Sequence, residues 1–167
     1  FVVGLGAKWV MLALVTDGGF FGGHIALKLG EIRSVRLDGS FQTSFAQTRP
    51  EWPPALPERA VPIDLDNTRG LLRTFALAEQ LVGIEADYKF RAKWIGVPDE
   101  IIGPWVYLRE IDTHAVWRDK PRGFRIRRIV VVTIGDNYQR ALAAMADGPA
   151  PRDPLVPEWS PRPASRD

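Results

Sequence analysis

The sequence predicts a mainly β protein with short helices, a β+α fold in which one small, strongly bent sheet unit is written twice. Three observations lead there. Short runs alternate apolar and polar residues at period two and are bounded by glycine-containing turns. Residues 31–41, EIRSVRLDGSF, and residues 128–138, RIVVVTIGDNY, share one apolar pattern: Ile32 answers Ile129, Val35 answers Val132, Leu37 answers Ile134 and Phe41 answers Tyr138. A proline-rich stretch separates the two copies.

In chain order, FVVGLG and WVMLALVTD are strand-like runs joined by a Gly-Ala-Lys turn, and they predict a hairpin. The glycine-rich DGGFFGG turns the chain into HIALKL, where Ile25, Leu27 and Leu29 mark the inward face. The bend at GEI shifts the phase, so that Val35 and Leu37 become the next inward pair. Asp38 or Ser40 then caps a short helix on which Phe41 and Phe45, four apart, share a face.

The second copy keeps this order. KWIGV resembles FVVGL, and PWVYLREID resembles KWVMLALVTD with Trp105 matching Trp9 and Leu108 matching Leu12. GFRIRRI resembles IALKLGEI, pairing Phe124 with Leu27 and Ile126 with Leu29, and DNYQRALAAM closes with a helix carrying Tyr138 and Leu142. Matching core residues are expected to be buried in both copies. Trp9 and Trp105 lie on the second strands, Leu27 and Phe124 on the third, and Phe41 and Tyr138 anchor the helices.

Between the copies, TRPEWPPALPERAVP holds five prolines and predicts an extended connector pinned by Trp52 and Leu56. An amphipathic helix follows, with Leu71, Leu72, Phe75, Ala78 and Leu81 on one stripe and Asp66 or Thr68 as its cap. LVGIEADYKF gives the second copy a leading strand that the first lacks. The chain opens on Phe1 inside a strand-like run, so the first copy is expected to be missing N-terminal residues. The division is a first unit over 1–47 and a connector over 48–66. The helix and second unit take 67–147, and a disordered polar tail covers 148–167, in which Leu155–Trp159 is a candidate docking stretch.

Composition narrows the function. With 46% apolar and 25% charged residues the chain has an ordinary globular profile. Twenty-two Lys and Arg against twenty Asp and Glu leave a net charge of only +2, so nucleic acid is permitted without being demanded. The absence of cysteine excludes disulfide, thiol and zinc-cysteine chemistry and fits a cytoplasmic location. No apolar run is long enough to span a bilayer as a helix, so no membrane association is expected.

The motifs are sparse. Asp64-x-Asp66-x-Thr68 has the spacing of the haloacid-dehalogenase nucleophile loop, which needs a buried strand ahead of it and a Mg²⁺ site. Only Ala60-Val61-Pro62-Ile63 precedes it, so a helix cap is the stronger reading and a phosphohydrolase the remote one. Gly4-x-Gly6 lacks the third glycine of a dinucleotide loop, the glycines at 18–23 read as a connector, and His24 and His114 have no catalytic neighbours in sequence. Arg122, Arg125, Arg127 and Arg128, with Trp117 and Lys120 upstream, form the main basic and aromatic cluster. Glu110, Asp112 and Asp119 are near enough in sequence to pair with it.

The pattern Gly4-x4-Trp9-Val10-x-Leu12, the following alternating strand, the Ile32-x-x-Val35 element and Glu51-Trp52-Pro53-Pro54 together resemble an uncharacterised bacterial family. Each half also resembles a small Sm-like or Src-homology-3-like barrel. The resemblance implies a tandem pair of such barrels packed with pseudo-two-fold symmetry. The Asp-Asn and Arg-Gly loop signatures with which Sm proteins hold RNA are missing, and Arg122-Gly123 stands before a strand instead of after one. The expected function is therefore a non-enzymatic binding or scaffolding module for a protein partner, without cofactor or metal. The alternative is nucleic-acid binding through Trp117, Lys120, Arg122, Arg125, Arg127 and Arg128.

Overall fold

The computed structural model describes residues 1–58, 60–77, 80–87 and 92–150. The protein is mainly β, with three short helices among the described residues. Its strands are β1 (Val2–Leu5), β2 (Trp9–Val15), β3 (Phe21–Lys28), β4 (Val82–Ala86), β5 (Trp94–Ile102), β6 (Trp105–Glu110), β7 (Arg122–Arg125) and β8 (Ile129–Ile134). The helices are α1 (Phe41–Ala46), α2 (Thr68–Leu77) and α3 (Asn137–Met145). The strands form one antiparallel sheet in the order β1-β2-β3-β8-β4-β5-β6-β7. The sheet is not closed; β1 and β7 are its edges. Hydrogen bonding therefore does not divide the strands into two separate barrels, because β3 of the first half pairs with β8 of the second.

The two three-stranded stretches at the ends of the sheet have parallel registers. In the first, Val2 faces Leu12, Gly4 faces Met11 and Leu5 faces Val10, with an irregularity between Val2 and Gly4. In the second, Pro98 faces Leu108, Glu100 faces Tyr107 and Ile101 faces Val106, with the irregularity between Pro98 and Glu100. The third strands agree too. Trp9 faces Lys28 and Val10 faces Leu27, as Trp105 faces Arg125 and Val106 faces Phe124. A 3-10 turn ends each third strand, at Leu29–Glu31 and at Ile126–Arg128.

The halves part company after that turn. Ile129–Ile134 continues as β8, between β3 and β4. Its counterpart, residues 32–39, has no strand pairing. Val35 is 85% exposed and Leu37 fully exposed, which corrects the expectation that they point inward. A residue is buried by neighbours, and this segment lacks the two flanking strands that β8 has.

Burial follows from the strand order. The main core joins Trp9 and Met11 of β2, Val82 and Ile84 of β4, Val106 and Leu108 of β6, Phe124 of β7 and Val132 and Ile134 of β8. Helix α2 adds Leu71, Leu72 and Phe75 to it. On β5 the neighbouring positions Ile95 and Val97 belong to a second cluster with Leu81, Ile111 and Leu142 of α3. Trp94, the residue before them, packs against the main core, and successive side chains of a strand point to opposite faces, so the two clusters lie on opposite faces there.

Several expected anchors are placed differently. On β3 the buried residues are Gly22 and Ala26, whereas Ile25, Leu27 and Leu29 are half-buried. Ala26 sits between Met11 and Val132, whose larger side chains fill the space. Trp9 is fully buried, but Trp105 is only half-buried because it lies next to the open edge strand β7. Phe41 and Tyr138 are both exposed. Helix α1 is held by the buried Ala46. Helix α3 is held by Leu142 and Gln139, whose amide donates to the carbonyl and hydroxyl of Thr133 at 3.0 and 3.2 Å.

The caps and connector explain how α2 reaches the sheet. Ser40 caps α1, as expected, with Asp38 accepting from its backbone and hydroxyl. The α2 cap is Asn67, not Asp66 or Thr68: its side-chain oxygen accepts from Gly70 N–H at 2.7 Å. Thr68 instead accepts from the buried indole N–H of Trp9 at 3.2 Å. The connector runs over β1, with Leu56, Ile63 and Leu65 packed on the main core and the Trp52 ring edge-on to Phe1. A Cβ on Gly6 would lie 2.4 Å from the Leu65 carbonyl carbon, so only glycine admits this crossing. Ala78 and the tail from 151 onward, with its Leu155–Trp159 stretch, lie outside the described residues.

Thr68→Val is expected to cost roughly 1–3 kcal/mol, because it leaves the Trp9 N–H buried without an acceptor. Asn67→Ala is expected to cost about 1 kcal/mol through loss of the cap. Phe75→Ala is expected to cost roughly 3–5 kcal/mol, whereas Leu37→Ala changes stability by less than about 0.5 kcal/mol. Urea unfolding of the four variants checks this ranking.

Candidate functional site

The arginine run does not form one surface. Arg122 pairs with Glu110, and Arg128 reaches Asp87 at 3.2 Å through both carboxylate oxygens. Trp117 donates its indole N–H to the Gly148 carbonyl at 3.3 Å and lines a separate cavity of about 290 Å³ beside α3. Lys120 is exposed on the loop before β7. Arg125 and Arg127 remain, and the structure unites them with residues distant in sequence.

They line a cleft of about 440 Å³ with Lys8, Asn67, Thr68, Arg69, Pro104 and Ile126. Lys8 comes from the β1–β2 turn, Arg69 from the first turn of α2, and Arg125 and Arg127 from the end of β7 and the 3-10 turn after it. The lining holds four cationic side chains and, among the described residues, no carboxylate. Asp66 is the acidic residue next to it in sequence, and its Oδ1 accepts from Ala7 N–H at 2.7 Å.

Several contacts hold the cleft. The guanidinium of Arg125 lies over the Trp105 ring, 5.1 Å from its centroid. Arg69 donates to the Gly103 carbonyl at the tip of the β5–β6 hairpin, which ties α2 to that hairpin. Lys28 donates to the Arg127 carbonyl at 2.9 Å and so fixes the 3-10 turn against β3. The amino end of α2, a ten-residue helix, opens on the same cleft through Asn67, Thr68 and Arg69, adding the positive end of its dipole.

The Asp64-x-Asp66 pair has a local structural role. Asp64 accepts from Asp66 N–H at 2.8 Å and from the Asn67 amide at 2.7 Å, and Asp66 accepts from Ala7. Residues 61–65 form no strand, so neither carboxylate stands at a strand end. His24 shares a hydrogen bond with the Ala55 carbonyl at 3.0 Å, on the connector. The backbone N–H of His114 donates to Asp112 within a turn. Among the described residues no group of three or more His, Asp or Glu side chains is placed to hold a metal ion. No helix among them is long and apolar enough to cross a membrane.

Sequence reasoning pointed to Arg125 and Arg127 but missed Lys8, Arg69 and Asp87. Lys8 and Arg69 enter the cleft only because the connector carries α2 back across β1. Comparison with protein-family models, with curated proteins and with solved structures finds no match.

Burial raises the pKa of the Glu110 carboxyl, and the charges of Arg122 and Arg118 only partly oppose it. Its Oε1 touches the Arg122 guanidinium off the N–H axis, gaining attraction without an aligned hydrogen bond. The folded state therefore binds this proton more tightly than the unfolded chain does. Stability is expected to be fully present below the ordinary glutamate range, about 4.3, and to fall as pH rises through the elevated value. Asp38 and Asp112, held low chiefly by hydrogen bonds from Thr43 and from Val116 N–H, act oppositely and in a lower window. Their contribution is lost as pH falls below the ordinary aspartate range. Urea midpoints between about pH 4 and 7 should decline less steeply in Glu110→Gln than in the parent.

Proposed function

We propose that the protein is a non-enzymatic binding module, built from two copies of one bent-sheet unit in approximate two-fold relation, that holds single-stranded nucleic acid in the Lys8–Arg69–Arg125–Arg127 cleft. The observation that carries the reading is the convergence of four cations, from three separated parts of the chain, around a space that no carboxylate lines among the described residues. Keeping four like charges together opposes folding unless an anion completes them, and a phosphate backbone supplies anions in a row. Arg125 stacked on Trp105 adds a planar cationic surface of the kind on which bases stack. The Arg122 and Arg128 side chains, by contrast, already have carboxylate partners. The repeat reading is supported by the matching registers and by the irregularity at corresponding positions of β1 and β5. The non-enzymatic reading is supported by the local roles of Asp64 and Asp66. A protein partner is a second reading, favoured by the exposed Val35 and Leu37.

The test is the salt dependence of binding to an unstructured oligonucleotide. Three or four neutralised phosphates predict a slope of log K against log salt of about −2 to −3, at about −0.7 per phosphate on a single strand. Arg127→Ala and Lys8→Ala should each lower the slope by about 0.7, while Arg128→Ala leaves it unchanged. Binding that ignores salt, or an Arg125→Ala/Arg127→Ala protein that binds as the parent does, overturns the cleft as the site.

A further inference from the structure

The cations of the basic cleft are not equally engaged. Arg69 donates to the Gly103 carbonyl, and the Arg125 guanidinium lies over the Trp105 ring. Lys8 and Arg127 differ from them: among the described residues neither charged head has an ion-pair or hydrogen-bond partner. The amino end of α2 places neutral donors beside these two. The N–H groups of Thr68 and Arg69 precede the first intrahelical bond, from Leu71 N–H to the Asn67 carbonyl, and donate to nothing among the described residues. Thr68 is only 3% exposed and lines the cleft. Its hydroxyl oxygen accepts from the Trp9 indole, while among the described residues nothing accepts the hydroxyl proton. A buried hydroxyl, two backbone amides and two uncommitted cations therefore converge on one space, and all of them can only donate to an anion placed there.

We infer that the cleft takes the terminal phosphate of the nucleic-acid strand, a monoester dianion, in preference to the diesters within it. The inference rests on the nucleic-acid reading of this cleft and names the part of the ligand that fills it. Charge is the first argument. Lys8 and Arg127 together match a phosphate monoester, which carries about −1.5 to −2 at pH 7, whereas a diester carries a single charge. Donor number is the second. A monoester has three non-bridging oxygens and a diester two, so the monoester takes up the amides, the hydroxyl and both cations more fully. Backbone N–H groups at a helix amino end, flanked by cations, are a setting in which phosphate binds. The construction of the cleft is the third. Helix α2 is tied to the β1–β2 turn by Asp66, which accepts from Ala7 N–H, and to the β5–β6 hairpin by Arg69. A nucleic-acid strand that reaches the helix meets a wall joined on both sides, which suits an end better than a chain passing through. Arg125 on Trp105 is left for the adjoining nucleotide.

The test compares one unstructured oligonucleotide in four forms, bound to the full chain at fixed salt: hydroxyl at both ends, 5′-phosphate, 3′-phosphate, and the methyl ester of each end phosphate. A terminal phosphate is expected to tighten binding by roughly tenfold or more, through new charge-assisted hydrogen bonds. The two phosphorylated arms separate a 5′ from a 3′ end, and an advantage at either bears the inference out. The methyl esters, which restore the single charge of a diester, should bind as the hydroxyl form does. Lys8→Ala and Arg127→Ala, both at exposed side chains, should keep the parent's circular dichroism and lose most of the advantage. Arg128→Ala, whose side chain pairs with Asp87, should retain it. Equal affinity for phosphorylated and hydroxyl ends, with the salt slope intact, overturns the inference and leaves the nucleic-acid reading standing. Binding of every form without a salt slope overturns that reading itself. An advantage that the methyl esters share, or that survives in both Lys8→Ala and Arg127→Ala, also overturns the inference.

Discussion

The pairing of β8 between β3 and β4 is the interaction on which the rest of the molecule depends. It joins the last strand of the second half to the third strand of the first, and so turns two short meanders into one sheet. At this seam a Cβ on Gly23 would lie 2.6 Å from the Gly135 carbonyl, so the approach at the end of β8 requires glycine. β8 also places Val132 and Ile134 in the main core, from which α2 takes its footing. Without the seam, β3 and β4 would each become an exposed edge.

Helix α2 depends on the seam and in turn shapes the candidate site. Its apolar stripe sits in the core while its first turn faces the basic cleft. The Trp9–Thr68 hydrogen bond links these two ends, a buried indole on β2 with the threonine that begins the helix. The connector serves the same purpose, since the Leu65 carbonyl accepts from the backbone of both Lys8 and Trp9. Lys8 therefore lies beside Arg69 through the packing of a proline-rich strap, without any sequence proximity.

The cleft and the unpaired 32–37 segment arise from one asymmetry. After equivalent 3-10 turns, the second half continues into a strand with two neighbours and the first half into a segment with none. Arg127 lies in the second of these turns, where Lys28 from the end of β3 holds its carbonyl. Thus the point where the halves meet contains the cation cluster, and the point where they differ contains the exposed apolar side chains.

The sequence alone determined the mainly β class, the β1–β2 and β5–β6 hairpins, the leading strand β4, and the positions of α1, α2 and α3. These depend on local rules: side-chain period, turn glycines and caps, all readable within a dozen residues. It also placed Phe124 inward and Arg125 outward, because alternation on a short strand needs no tertiary information. Tertiary structure alone decided the strand order, the open sheet, and the burial of residues that share one pattern. Val35 and Val132 occupy matching positions in the motif, yet one is exposed and the other buried, because burial belongs to the neighbours and not to the residue. The site was divided for the same reason. Arg122, Arg125, Arg127 and Arg128 look equivalent along the chain, but Glu110 and Asp87 neutralise two of them while the fold brings Lys8 and Arg69 to the others. Charge pairing acts over a few ångströms of space, and separation in sequence does not record that distance.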